Sequence, residues 1–234
     1  MASEKFIARF DERLWNQHVP GLAAANKEAF WATVKTLATD YRFAEKLRAR
    51  GLPVLNDLVA EISFAHSARS WGVTTQSVDV SLLQSAIDRV NLISGKQLNV
   101  ANISVPILRD SIHLSRRLNE FLRLIAATDV TYQPRLRGYG FLNSCSPDIL
   151  SNDTLIEVKT SAYGFRIEDF RQLLLYQFLA TKNGITIDRL VLVNPRLGSA
   201  ITMPAFEYFE QATRKTYQRG LAGIADYLMT TSSL

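Results

Sequence analysis

The sequence predicts an α/β protein: an α/β sandwich around a mixed β-sheet, preceded by a helical region. Of the 234 residues, 47% are hydrophobic and 21% are charged, which is typical of a globular protein with a buried core. Residues 1–105 show mainly helical periodicity, whereas residues 106–234 alternate between helical and strand-like segments. We therefore expect an N-terminal helical region, 1–105, and a second domain, 106–234.

Apolar residues in the first region recur at helical spacing. Four segments are predicted to be helices: residues 22–37, 41–50, 55–72 and 79–93. Gly51-Leu52-Pro53 ends the second of them and Gly95 ends the fourth. Residues 96–104 are predicted to form a loop or a short extended segment that links the two regions.

The second region begins with a long amphipathic helix. Pro106 is placed at its first turn, and Ser104 is a candidate cap. Its apolar residues form one stripe, and Arg116, Glu120 and Arg123 lie on a flank of that stripe. The following segments are three strands at 129–136, 141–150 and 154–160, a helix at 168–181, strands at 189–194 and 201–204, and a helix at 206–229.

Residues 146–160 are predicted to form a β-hairpin that carries the chemistry. If Asn152-Asp153 forms a two-residue turn, Asp148 faces Glu157 across the hairpin. Their Cβ atoms would lie about 4.5–5.5 Å apart, and Lys159 would lie on the same face as Glu157. The opposite face would bury Ile149, Ile156 and Val158. A three-residue loop would change these facing pairs, so the register is an expectation.

Two facing carboxylates repel each other unless something compensates their charge. A divalent cation with oxygen ligands is the usual compensation, and Mg²⁺ is commonly held by one or two carboxylates plus a substrate phosphate. Lys159 would orient or deprotonate the attacking water, or stabilise the charge that develops on the phosphate. The pattern therefore favours phosphodiester hydrolysis. The alternative is a surface hairpin whose charges are simply solvated.

The same residues resemble a known family. Pro147-Asp148 followed by Glu157-Val158-Lys159 resembles the signature of the PD-(D/E)XK nuclease superfamily. Gln172 and Tyr176 resemble the Q-x-x-x-Y motif of its RecB-type members, four residues apart on one helix face. The resemblance covers about residues 106–195 and implies a restriction-endonuclease-like core, ordered α-β-β-β-α-β, and an Mg²⁺- or Mn²⁺-dependent nuclease.

The resemblance also implies residue roles. The implied catalytic residues are Asp148, Glu157, Lys159, Gln172 and Tyr176. The implied metal ligands are Asp148, Glu157, the backbone carbonyl of Val158, and Glu120 from the first core helix. The alternatives are that Gln172 and Tyr176 form a surface pair and that Glu120 only pairs with a neighbouring arginine.

Charge suggests the substrate. The net charge is +5 and the pI is about 9.4, which suits a polyanionic partner. Residues 106–234 contain 15 basic residues, of which 12 are arginine, the side chain whose planar fork binds phosphate. The candidate nucleic-acid contacts are Arg116, Arg123, Arg166, Arg171 and Lys182. Solvated surface charges are the alternative.

These observations favour a DNA-cleaving enzyme, in host defence or DNA processing, with RNA left open as a substrate. A second hypothesis is a non-catalytic nucleic-acid-binding or assembly subunit. A third is that residues 1–105 bind a second copy or another protein and that cleavage occurs within that complex. A single cysteine, no membrane-length apolar run and no signal-like start predict a cytoplasmic protein that does not enter a membrane.

Overall fold

The computed structural model describes residues 1–47, 55–72, 78–95 and 97–230. Within these ranges, one six-stranded sheet has the order β1-β6-β5-β4-β3-β2. The strands are β1 Thr39–Arg42, β2 Val130–Tyr132, β3 Ile149–Ser151, β4 Thr154–Val158, β5 Arg189–Asn194 and β6 Ser199–Pro204. β4 and β5 are parallel, and the other neighbours are antiparallel. The sheet is therefore mixed, as predicted.

Helices cover both faces of this sheet. Their bounds are α1 Glu4–Phe10, α2 Glu12–Gln17, α3 Lys27–Leu37, α4 Asn56–Ser70, α5 Val80–Ser94, α6 Val105–Leu124, α7 Ile167–Lys182, α8 Ala205–Thr213 and α9 Tyr217–Thr230. Short 3-10 turns lie at Pro20–Leu22, Ala24–Asn26 and Val100–Asn102. No helix in the described part of the chain has the length and apolar character needed to cross a membrane.

The alternation of side chains along β4 divides the core into two layers. Ile156 packs in one cluster with Leu118 and Phe121 of α6. Leu155 packs in another cluster with residues of α7, including Leu173. Because Glu157 is two residues from Leu155, its side chain belongs to the α7 face of the sheet.

The N-terminal part of the chain shares this core. Ile7 of α1 and Trp15 of α2 belong to the same cluster as Leu173 of α7, and β1 adds an edge strand beside β6. A further cluster joins α4 and α5 to the first half of α6, where Leu58, Ile87 and Leu114 are buried. The predicted boundary at residue 105 therefore marks a change in sequence pattern, but side chains from both sides of it pack in the same hydrophobic clusters.

Three of the four predicted N-terminal helices are present as α3, α4 and α5, although α3 begins at Lys27 and not at residue 22. The Asp79 carboxylate caps α5 by accepting a hydrogen bond from the backbone N–H of Leu82 at 2.9 Å. Gly95 ends the helix with a left-handed φ of 66°, a conformation that glycine adopts without steric penalty. Ser104 precedes α6, but its side chain makes no capping hydrogen bond.

Several predicted elements are wrong in part, among them the strand predicted at 129–136, which is confined to Val130–Tyr132. The predicted helix at 41–50 is replaced in its first residues by β1, and 48–50 lie outside the described residues. The strand predicted at 141–150 is confined to Ile149–Ser151, with isolated bridges before it. The helix predicted at 206–229 is two helices, because Arg214 adopts a left-handed φ of 54° between them. Pairing of β1 with β6 joins residues far apart in sequence, which local propensity does not reveal.

A buried ion pair fastens α6 to the turn that follows β5. The Arg196 guanidinium donates to both carboxylate oxygens of Asp110, at 3.1 and 2.8 Å. Its Nε also donates to the carbonyl of Thr160 at 2.9 Å. Because Thr160 lies two residues after the end of β4, this contact fixes the backbone where the chain leaves the strand.

Asp110→Ala should lower the free energy of unfolding by about 3–5 kcal/mol, because it leaves the buried Arg196 guanidinium without its counter-charge. Chemical denaturation measures the change. The matched control is Arg69→Ala, which breaks an exposed pair with Asp79 and should change stability little. Equal effects of the two substitutions would contradict the anchoring role.

Candidate active site

The predicted hairpin register is confirmed by the backbone pairing of β3 and β4. Ile149 pairs with Ile156, and Ser151 pairs with Thr154. Asn152 adopts a positive φ of 51° in the turn, a conformation that asparagine tolerates. Asp148 immediately precedes the first paired residue of β3, and Glu157 follows its partner on β4.

Hydrogen bonds then fix the three charged side chains. One oxygen of Asp148, Oδ2, accepts from the backbone N–H of Val158 at 2.7 Å. The Lys159 ammonium donates to Glu157 Oε1 at 2.9 Å and to Gln172 Oε1 at 2.8 Å. Asp148, Glu157 and Lys159 line one groove of about 480 Å³. The structure thus brings the three predicted charged residues together.

Several other elements line this groove. α4 contributes Asn56, Asp57, Ala60, Glu61 and Phe64, and α7 contributes Asp169. The segment after β4 contributes Thr160, Ser161, Gly164 and Arg166. Lys5 of α1 also lines it. The groove is therefore bordered by both regions of the chain.

The Glu157 carboxylate is buried, and the described residues donate a hydrogen bond to only one of its two oxygens. Its residue surface is 4% exposed. Oε1 receives the Lys159 ammonium, whereas Oε2 has no hydrogen-bond partner among the described residues. A buried carboxylate oxygen without a donor is costly in free energy. The geometry therefore suits a cation bound between Glu157 and the facing Asp148.

The pKa shifts of Asp148 and Lys159 agree with a cation bound between Asp148 and Glu157. Burial raises the pKa of Asp148 well above its ordinary value, and the charge of Glu157 raises it further. Burial alone would lower the pKa of Lys159, but the carboxylates of Glu157 and Asp169 raise it above its ordinary value. Lys159 is therefore charged at neutral pH, and ionisation of Asp148 is unfavourable without a compensating positive charge.

The ligand set is small. Within the ranges 1–47, 55–72, 78–95 and 97–230, no group of three or more His, Cys, Asp or Glu side chains is arranged to hold a metal ion. Of the five carboxylates that line the groove, those of Asp148 and Glu157 face each other across the hairpin. Mg²⁺ is commonly bound by one or two carboxylates, with water and substrate phosphate filling the other positions. The residues present therefore fit a hydrated Mg²⁺ or Mn²⁺ ion.

Gln172 and Tyr176 lie in the interior beside this groove. They are 4% and 2% exposed, respectively, so the alternative of a surface pair is wrong. Gln172 Nε2 donates to the Tyr176 hydroxyl at 2.7 Å, while Gln172 Oε1 accepts from Lys159. Burial raises the pKa of Tyr176 well above its ordinary value, with Glu157 as the next cause. Tyr176 is therefore a neutral hydroxyl that donates a hydrogen bond.

The structure places several predicted site residues elsewhere. Glu120 is exposed on α6, which covers the face of the sheet away from Glu157, and it does not line the groove. Arg116 and Arg123 are also exposed on α6, and Arg123 lies over the Trp71 ring. Lys182 lies at the far end of α7, with its ammonium 5.1 Å from the centre of the Tyr139 ring. Of the five predicted basic contacts, Arg166 lines the groove.

The predicted phosphate contact at Arg171 is corrected by its burial. Arg171 is 2% exposed. Its guanidinium donates to the carbonyls of Leu22 and Ala8, at 2.8 and 3.1 Å, and lies over the Trp15 ring. The side chain therefore joins α7 to the N-terminal helices and is not accessible to a nucleic acid.

Sequence analysis missed three acidic residues near the site. The Asp169 carboxylate lies 3.3 Å from the Lys159 ammonium, and its position three residues before Gln172 on α7 could have indicated a shared face. Glu61 lines the groove from α4. Glu4 accepts a hydrogen bond from the Tyr176 hydroxyl. The last two come from the N-terminal region, and no local motif links either to the hairpin.

Comparison with protein-family models finds no family that matches this chain, and comparison with curated proteins finds no similar sequence. The function of the protein is therefore inferred from the geometry of the site.

Asp148→Asn should stabilise the metal-free protein at neutral pH. The raised pKa of Asp148 means that its ionisation opposes folding as the pH rises above the ordinary carboxyl value of about 3.9. Asparagine keeps an acceptor for the Val158 N–H but does not ionise. Urea denaturation in EDTA should show a stability gain that is absent near pH 3 and grows towards neutral pH. A variant less stable than wild type at pH 7 would contradict the electrostatic account.

Proposed function

We propose that this protein is an Mg²⁺- or Mn²⁺-dependent nuclease of the PD-(D/E)XK kind that hydrolyses phosphodiester bonds in DNA. The observation that carries the proposal is the buried Oε2 of Glu157, which has no hydrogen-bond partner among the described residues and lies with Asp148 and the charged Lys159 in one groove. The mixed sheet, with its parallel pair β4–β5 and flanking helices, is compatible with the restriction-endonuclease-like core that the motifs imply.

The balance of charge in the groove supports a bound cation. Five carboxylates line the groove, those of Asp57, Glu61, Asp148, Glu157 and Asp169, against three basic side chains, those of Lys5, Lys159 and Arg166. In a low-dielectric site, this excess of negative charge would also repel a substrate phosphate. A bound divalent cation would compensate the charge, lower the pKa of a coordinated water and neutralise a phosphate under attack. A surface used only for binding gains nothing from buried carboxylates.

The charged residues of the site would have separate roles in the reaction. Asp148 and Glu157 supply the oxygen ligands. Because the pKa of Lys159 is raised, its ammonium is suited to stabilising negative charge on the phosphate and not to removing a proton from water. Of the three roles that the sequence left open for Lys159, the raised pKa supports charge stabilisation and argues against deprotonation of the water.

The groove has a basic side chain that a nucleic-acid backbone could reach. The groove opens to solvent, and Arg166 is exposed where it lines the groove. Its guanidinium provides hydrogen-bond donors suited to a phosphate next to the scissile one. Arg116 and Arg123 lie on another surface of the protein, so they would contact DNA only outside the groove.

Asp148→Ala should reduce plasmid cleavage to the level seen in EDTA, because it removes a metal ligand. Lys159→Ala should reduce cleavage at least roughly 100-fold, because it removes a charge aimed at the reacting phosphate. Binding to DNA should persist for Asp148→Ala, since phosphate affinity comes mainly from basic side chains. Cleavage in Mg²⁺ or Mn²⁺ and salt-dependent binding should be measured in parallel.

The matched control is Asp153→Asn, which changes an exposed carboxylate in the turn of the same hairpin. It should cut at the wild-type rate. Wild-type activity in Asp148→Ala, or equal losses in Asp148→Ala and Asp153→Asn, would show that the groove is not a metal-nuclease site. Cleavage of RNA but not DNA would keep the reaction and change the substrate.

A further inference from the structure

A continuous series of hydrogen bonds joins helix α1 to Lys159. The Tyr176 hydroxyl donates to Glu4 Oε1 at 3.2 Å. Gln172 Nε2 donates to the Tyr176 oxygen at 2.7 Å, and the Lys159 ammonium donates to Gln172 Oε1 at 2.8 Å. Glu4 is 9% exposed, and the two middle residues are more deeply buried. Little water therefore competes for these bonds.

The direction of the donors in this series is set at its two ends. The Lys159 ammonium can only donate hydrogen bonds, and the Glu4 carboxylate accepts from the Tyr176 hydroxyl. The Tyr176 oxygen then accepts from the amide nitrogen of Gln172, which turns the amide oxygen towards Lys159. We propose that Glu4 is a positioning residue of the site, which orients Gln172 through Tyr176 and thereby holds the Lys159 ammonium in place.

Lys159 needs that orientation because its donors have fixed acceptors. An ammonium has three N–H groups. Here two acceptors are in place, Glu157 Oε1 and Gln172 Oε1, and the Asp169 carboxylate forms an ion pair with the ammonium at 3.3 Å. Without Glu4, the Tyr176 hydroxyl would turn towards Gln172 Oε1 and compete with Lys159 for it. The ammonium would then lose one of its two hydrogen-bond acceptors and move.

Glu4 is itself held firmly. The Ser3 hydroxyl oxygen caps α1 by accepting from the Phe6 N–H at 3.2 Å. The preceding residue, Ala2, exchanges backbone hydrogen bonds with Phe141 and Asn143, at 2.7 and 2.8 Å. Ile7 of α1 is buried in the same core as α7. The position of the carboxylate is therefore set by packing as well as by its bond to Tyr176.

The cleavage arm of the test rests on the proposed nuclease function. Glu4→Leu should lower turnover roughly tenfold, as is typical when a residue behind the directly acting groups is lost, with DNA binding unchanged. Glu4→Gln should stay close to wild type, because its carbonyl still accepts from Tyr176. In a Tyr176→Phe background, Glu4→Leu should cause no further loss, because the competing hydroxyl is gone.

A second arm does not require activity. ¹H–¹⁵N spectra of the Lys159 ammonium and the Gln172 side-chain amide, assigned with Lys159→Arg and Gln172→Leu, report the bonds directly. Glu4→Leu and Tyr176→Phe should each displace both signals, and Glu4→Gln should leave them near their wild-type positions. The control is Glu12→Leu, which removes another carboxylate that contacts α7, through Arg171, and should leave both signals in place.

The two arms separate the two claims. If the wild-type protein cuts no nucleic acid but the spectra respond as expected, the nuclease proposal fails and the positioning role stands. If Glu4→Leu or Tyr176→Phe leaves both signals unchanged, or if Glu12→Leu displaces them equally, the positioning role is overturned whatever the cleavage assay shows.

Discussion

The repulsion between two facing carboxylates is the constraint on which this structure depends. Asp148 and Glu157 meet at the end of a short hairpin, where burial and mutual repulsion oppose the ionisation of Asp148. The fold tolerates this repulsion because β4 has stabilising contacts with several other elements. β5 pairs with it in parallel, and residues of α6 and α7 pack on its two faces. Arg196 donates a hydrogen bond to the carbonyl of Thr160, two residues after the end of β4. Strain of this kind commonly marks functional sites.

Lys159 links the charged pair to the rest of the molecule. Its ammonium contacts Glu157 directly and reaches α7 through Gln172 and Asp169. These acceptors keep the lysine charged and fix its position. Lys159 thus contacts one oxygen of Glu157 and leaves the other, Oε2, without a hydrogen-bond partner among the described residues, which suits a bound cation.

The hairpin and its charged face could be predicted because their determinants are local. Turn chemistry at Asn152-Asp153 sets the register, and strand alternation then assigns Glu157 and Lys159 to one face. Helix spacing likewise brings Gln172 and Tyr176 together. These rules act over fewer than about ten residues, and the structure agrees with them.

Features that depend on distant contacts could not be predicted in the same way. β1 exists because β6 offers an edge for pairing, and Arg171 is buried because α7 packs against the N-terminal helices. Glu4 reaches the site for the same reason, although no motif marks it. Glu120 shows the converse error, since helical spacing placed it on α6 but did not reveal which sheet face α6 covers.

The central claim is that Asp148 and Glu157 together hold a divalent cation. Its most direct test is calorimetric titration of Mg²⁺ and Mn²⁺ into the metal-free protein at neutral pH, compared with the same titration of Asp148→Asn. The account predicts saturable binding by the wild type and a loss of binding in the variant, which keeps the fold but lacks one anionic ligand. Absence of saturable binding by the folded wild-type protein, or equal affinity in both proteins, would contradict it.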